Sequence, residues 1–345
     1  MQFLPKRRRL CLRFFFAEMK KNYFKYVLNK SPLKKETDAF LDKFPERRTK
    51  ILCQAIDDAI GGNDRFLKLA RAQRLTPFTP DLSLDISDEK IKSDCGEIKI
   101  RIYAPKSGKG KKTVMYLHGS GWTIGAIDSC QRFCNDCAVY GNCTVVAVEY
   151  SLAPETKFPA PVKECREAYK WILQNAKRLK VSGKKIIIAG DSSGANLALA
   201  SAIRINEKND PPPCGLILFY PVTTLISPQD APSWKKYGKG WALDSALMES
   251  FIKAYLSDDS QRFSQYASPL VYDRFADFPP TLLVASGRDI LHDQVETLAD
   301  KMRDSGVKLR YVDVAEAAHV YVTMEGMEKS YAIGLREAAD FIAAI

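Results

Sequence analysis

The 345-residue chain is 46% hydrophobic and carries a formal net charge of +11. That balance excludes a disordered polymer, and no apolar run reaches the roughly 20 residues of a membrane-spanning helix; the richest, CLRFFFAEM, is broken by Arg13 and Glu18. The charge is not spread as in a nucleic-acid-binding surface: residues 1–35 hold seven Lys and four Arg against one Glu, which leaves the other 310 residues at +1.

The chain therefore opens with a basic arm on a nearly neutral body. Three readings of the arm follow from its Lys/Arg residues interleaved with Phe and Tyr. It is a solvated basic leader on an amphipathic helix, a peripheral contact with anionic lipid through residues 1–35, or a targeting signal built on Lys6-Arg7-Arg8-Arg9. No uninterrupted apolar region with a small-residue cleavage site follows, so secretion is not expected. Nine cysteines, an odd number scattered along the chain, predict reduced thiols and a cytoplasmic setting.

Residues 1–85 read as mainly helical, a basic arm and part of a cap. From about residue 97 short apolar runs alternate with helical patterns: EIKIRIY, TVMYL, TVVAVEY, KIIIAG, GLILFY, TLLVAS and LRYVDV are the strands. This alternation predicts an α/β fold, a mostly parallel sheet with helices on both faces, over residues 86–345. An insertion at about 223–267 interrupts the pattern and supplies the rest of a helical cap.

In chain order, the first chemical signal is the loop after TVMYL. His118, Gly119, Ser120 and Gly121 form a run of small residues able to aim backbone N–H groups at a developing oxyanion. Cys130, Cys134 and Cys137 follow at C-x3-C-x2-C spacing. That spacing can hold an iron–sulfur cluster, but it is also one face of a helix, extended by Ala138, on which cysteines act as small hydrophobes. Next, the β-branched run Ile186-Ile187-Ile188 leads into Gly190-Asp191-Ser192-Ser193-Gly194 and then a helix. A strand turning sharply into a helix with Ser192 at the apex is a nucleophile elbow; a plain strand–helix turn is the competing reading.

A serine needs a base, and the chain holds three histidines. His319 lies on the loop after the last strand, His292 starts a helix and is expected at the surface, and His118 opens the small-residue loop. The acid is expected between Ser and His in chain order. Asp289 comes soon after its strand; Asp293 suits the first turn of the following helix, where a carboxylate favours the dipole.

These motifs together resemble the hormone-sensitive lipase family of α/β-hydrolases, from about residue 95 to the end. HGSG resembles that family's HGGG, with Ser120 in place of a glycine. EYSLAPETKFPAP resembles its YRLAPE segment and following FPA, and GDSSGANLA its GDSAGGNLA. His319-Val320-Tyr321 stands where His-Gly-Phe is usual, and the lost glycine is expected to tighten the His loop and reshape the pocket wall. The resemblance implies an α/β-hydrolase fold and a carboxylesterase or deacetylase. It assigns Ser192 as nucleophile, His319 as base, Asp289 as the acid that orients it, and the backbone N–H groups of Ser120, Gly121 and Ser193 as the oxyanion hole. It implies a small-molecule ester with a small to medium acyl chain and requires no cofactor or metal. Two other classes use the same fold: receptors that lack the histidine, which His319 opposes, and amide hydrolases, which share the triad.

Overall fold

The computed structural model describes residues 31–43, 46–74, 79–108, 110 and 112–345. The arm up to residue 30, and with it the leader, lipid and targeting readings, lies outside the described residues. Among the described residues no helix is long and apolar enough to cross a membrane.

Eight strands form one sheet: β1 (Leu84–Ser93), β2 (Gly96–Pro105), β3 (Thr113–Leu117), β4 (Thr144–Glu149), β5 (Ile186–Asp191), β6 (Gly215–Phe219), β7 (Thr281–Arg288) and β8 (Leu309–Ala318). Their order is β1-β2-β4-β3-β5-β6-β7-β8. The contacts of β2 with β1 and β4 are antiparallel, and every other pairing is parallel. The expected mostly parallel sheet is present, and all seven expected strands lie in it. The eighth, β1, was not expected. Its sequence LDISDEKIKS fully buries only Leu84 and Ile91, so an edge strand carries almost none of the apolar signal of its inner neighbours. By contrast β3 and β5 are buried throughout, as parallel strands covered on both faces must be.

Helices cover both faces. On one lie α1 (Ser31–Leu41), α4 (Gln131–Tyr140) and α10 (Glu328–Ala344), whose Phe40, Phe133, Tyr331 and Leu335 share a core with alternate residues of the strands. Cys130, Cys134 and Cys137 are buried in this layer with Ala138, as the helical-face reading expects. Burial pushes the Cys134 thiol up, and the eight described cysteines are free thiols. The α1 helix is tied to the far end of the chain: the half-buried Glu36 carboxylate accepts the N–H groups of Lys329 and Ser330, capping α10 where its dipole favours an anion.

The opposite face carries α5 (Ala160–Gln174), α6 (Ser193–Glu207) and α9 (His292–Asp304). Above the strand ends on this side sit α2 (Glu46–Ile60), α3 (Arg65–Gln73) and, from the 223–267 insertion, α7 (Pro232–Tyr237) and α8 (Ser245–Tyr255). Ile56, Ala59 and Leu67 pack in one core with Leu247, Met248 and Phe251. Two segments far apart in sequence thus close over the same crevice, where open α/β sheets hold their ligands. Arg71 fastens α3 to the sheet: its guanidinium donates to the carbonyls of Thr123 and Ala153 and grips the Glu155 carboxylate with two bonds of 2.7 and 2.8 Å.

Phe133 tests the layering. It lies 5.3 Å from the Tyr116 ring and 5.2 Å from Phe219, at 1% exposure. Phe133→Ala is expected to lower stability by about 3–5 kcal/mol, read as a fall in the urea midpoint at unchanged slope.

Candidate active site

The turn between β5 and α6 places Ser192 at φ 54° and ψ −120°, outside the regions open to an unstrained L-residue. Glycines make it sterically attainable. A Cβ on Gly194 would stand 2.0 Å from the Leu117 carbonyl oxygen, and one on Gly190 would stand 2.5 Å from the Gly194 backbone. The turn is held by Ser192 N–H donating to the Phe219 carbonyl at 2.9 Å. This is the elbow geometry, not a plain strand–helix turn.

Two loops bring the partners. His319 follows β8 and Asp289 follows β7, both at strand ends beside Ser192. His319 Nε2 lies 2.8 Å from Ser192 Oγ, and its Nδ1 lies 2.5 Å from Asp289 Oδ2. Asp289 Oδ1 accepts the Leu291 N–H at 3.0 Å, which fixes the carboxylate plane. All three side chains are buried; Ser192, the most accessible, is 5% exposed. Asp293 is not in contact with His319: it lies in the first turn of α9 and accepts the Ser233 N–H at 2.7 Å. His292 is half-buried rather than at the surface, because Asp313, Asp293 and Glu296 surround it; the Asp313 carboxylate leads in pushing its imidazole up from the ordinary value. Among the described residues, His292, Asp293 and Glu296 form the one grouping of metal-ligating types, and it is not part of the cavity beside Ser192.

The His118–Gly121 loop follows β3 and lies across the N-terminus of α6. Among the described residues, no acceptor takes the N–H of Ser120, Gly121 or Ser193. Ser193 is the first residue of α6, whose opening N–H groups have no partner inside the helix. The loop is fixed from below by groups that motif reading did not single out. Buried Asp191 accepts from Gly119 N–H and Tyr116 Oη at 2.9 Å each, and Tyr150 Oη donates to the His118 carbonyl at 2.6 Å. Burial pushes the Asp191 carboxyl up, and these two donors hold it back. Burial likewise pushes His118 down, and its Nδ1 lies 3.0 Å from the Gly119 carbonyl, which can only accept. Two of the serines that depart from the family pattern support the loop: Ser193 Oγ accepts the Trp122 N–H, and Ser120 Oγ accepts Arg74 Nη2 at 2.8 Å. Arg74 carried no sequence signal as a site residue, since nothing in its helical surroundings points to a loop 46 residues ahead.

Ser192, Ser120, Gly121 and His319 open into a cavity of about 260 Å³. Its walls are mainly apolar, from Leu52 on α2 and Phe66 on α3 to Met248 and Phe251 on α8. A family model described as the α/β hydrolase fold matches residues 114–323. The chain belongs to this α/β-hydrolase family. An α/β hydrolase of Acanthamoeba polyphaga mimivirus is 33% identical to it over 241 residues, covering 69% of each chain. An arylesterase of Saccharolobus solfataricus is 31% identical over 237 residues, 68% of this chain and 76% of that one. Among solved structures, a thermostable esterase of Pseudomonas putida superposes with a TM-score of 0.80 at 26% identity, over 90% of this chain and 96% of its own. The esterase branch expected from the hormone-sensitive-lipase-like motifs is the one in which the hydrolase is found.

Val320, where the family pattern has glycine, lies at φ 68° and forms part of the cavity wall. A β-branched residue in the left-handed region is strained. In Val320→Gly, relief of about 1–3 kcal/mol of strain offsets the roughly 0.4–1 kcal/mol entropic cost of glycine and the lost side-chain packing. Stability is expected to stay within about 1 kcal/mol of the parent by urea unfolding; a markedly larger loss would show that the valine's packing outweighs its strain.

Proposed function

We propose that this hydrolase cleaves carboxylic esters with small to medium acyl chains through an acyl-enzyme on Ser192. The observation that carries the reading is the unbroken chain Ser192 Oγ–His319–Asp289 at the floor of an apolar cavity. In this mechanism Ser192 Oγ attacks the ester carbonyl carbon while His319 Nε2 takes its proton. Negative charge on the carbonyl oxygen is met by the N–H groups of Ser120, Gly121 and Ser193. His319 then protonates the leaving alcohol, and Asp289 holds the imidazole tautomer and stabilises the imidazolium. Water repeats the sequence on the acyl-enzyme and frees the acid. The cavity volume, just below the roughly 300–1,000 Å³ of drug-sized ligand sites, supports a small acyl group. The esterase names of the relatives favour ester over amide, and the contact of His319 with Ser192 opposes a non-catalytic receptor.

Labelling with a fluorophosphonate and turnover of 4-nitrophenyl esters test the assignment. Ser192→Ala is expected to abolish both, and Ser193→Ala to keep labelling. Asp289→Asn is expected to lower the rate by about 10⁴, against a small change for Asp293→Asn. Full labelling of Ser192→Ala protein, or a reversed order of the two aspartates, refutes the roles.

The same proposal covers the cap, formed by residues before 85 with those of 223–267, and places the enzyme in the cytoplasm, with reversible membrane contact through residues 1–35. Each basic residue near an anionic bilayer contributes about 1 kcal/mol. Full-length protein is expected to co-sediment with phosphatidylserine vesicles at low salt and to be released by high salt. A chain starting at Ser31 should lose most of that binding and keep its activity on a soluble ester; binding unchanged by the truncation removes the lipid reading.

A further inference from the structure

The cavity beside Ser192 has a charge asymmetry that ester hydrolysis alone does not need. Two arginines, Arg48 and Arg74, line it, and among the described residues no Asp or Glu does. Arg48 is exposed, whereas Arg74, at the end of α3, is drawn into the wall against the loop of Ser120 and Gly121.

Arg74 differs from its neighbour Arg71 in what it touches. Arg71 has the Glu155 carboxylate. Arg74 donates Nη2 to a neutral hydroxyl, and among the described residues its buried Nε has no partner and no carboxylate pairs with it. Burial pushes its guanidinium down from the ordinary value, Asp191 opposes that fall, and the nearby Arg48 adds to it. The Asp191 carboxylate is engaged beneath the loop by Tyr116 and Gly119. A desolvated cation without a counter-charge is costly, and a second cation beside it raises the cost. An anion entering the cavity supplies what the wall lacks, and a guanidinium matches a carboxylate in shape. Because Ser120 and Ser192 both face this cavity, a single ligand can reach the serine with its ester and Arg74 with its charge.

We propose that Arg74, assisted by Arg48, forms an anion subsite in the Ser192 cavity, so that the preferred esters carry a carboxylate on an apolar body, as half-esters of dicarboxylic acids do. The inference rests on Ser192 marking the ester site but not on turnover, so binding can be read separately from catalysis.

The experiment uses Ser192→Ala protein and calorimetric titration with a matched pair, mono-4-nitrophenyl glutarate and 4-nitrophenyl valerate. The glutarate half-ester is expected to bind about tenfold more tightly at low salt, the value of one charge-assisted contact. Adding Arg74→Met should bring the two ligands to within about twofold, Arg74→Lys should keep part of the preference, and Arg48→Gln should reduce it less. Equal binding of the pair, or a preference that survives Arg74→Met, overturns the subsite. A loss that strikes both ligands alike in Arg74→Met also overturns it, because that is the signature of an arginine that only steadies the Ser120 loop. If the parent protein turns over no ester while the half-ester preference is present in Ser192→Ala, the hydrolytic reading fails and the subsite stands.

Discussion

The close approach of Gly194 to the carbonyls of Leu117 and His118 is the constraint on which the site depends. A Cβ there would stand 2.0 Å from one oxygen and 2.4 Å from the other, so the start of α6 and the end of β3 meet with no room for a side chain. That contact lets the chain reverse from strand to helix within one residue, and Ser192 absorbs the reversal as strain. The same contact sets the small-residue loop against the helix terminus. Serine, loop and helix N-terminus are therefore one rigid unit. His319 and Asp289 are added to it from neighbouring strands, whose ends the sheet has already aligned.

Beneath that unit lies a buried polar layer. Asp191, Tyr116, Tyr150 and Ser193 bind four different points of the loop and its supports. Each would be destabilising if left unpaired in such a setting, and satisfied networks of this kind specify one arrangement. The loop is thus held by hydrogen bonds to its backbone. This explains why serine can replace glycine at position 120: its φ of 84° is costly, but Asp191 and Tyr150 hold the neighbouring backbone and Arg74 engages the new hydroxyl.

Much of this was legible in the sequence, for physical reasons that also mark where reading stops. Strands β3 to β7 are buried on both faces, so they appear as apolar runs whatever their partners. The residues of the site sit just past strand ends, where chain order and short motifs locate them. β1 was missed because an edge strand spends its charged residues on solvent and leaves no periodic apolar trace. Asp191 was inside a recognised motif, yet its place under the loop depends on β3 and β5 being neighbours, which the motif does not state. Arg71 and Arg74 lie in a segment legible only as a helical cap. Their partners are at Glu155 and Ser120, and no local pattern connects residues that far apart.

The packing of α2 and α3 against α8 has a consequence for synthesis. The apolar faces of α2 and α3 are made early, but the helix that buries them, α8, starts about 170 residues after α3 ends. At roughly 5–20 residues per second, the ribosome leaves Ile56 and Leu67 waiting on the order of 10–30 s for Leu247 and Phe251. During that interval the nascent chain presents an unmatched apolar surface. A fold that splits one apolar contact between two distant segments is thus exposed to self-association for as long as the intervening sheet takes to be made.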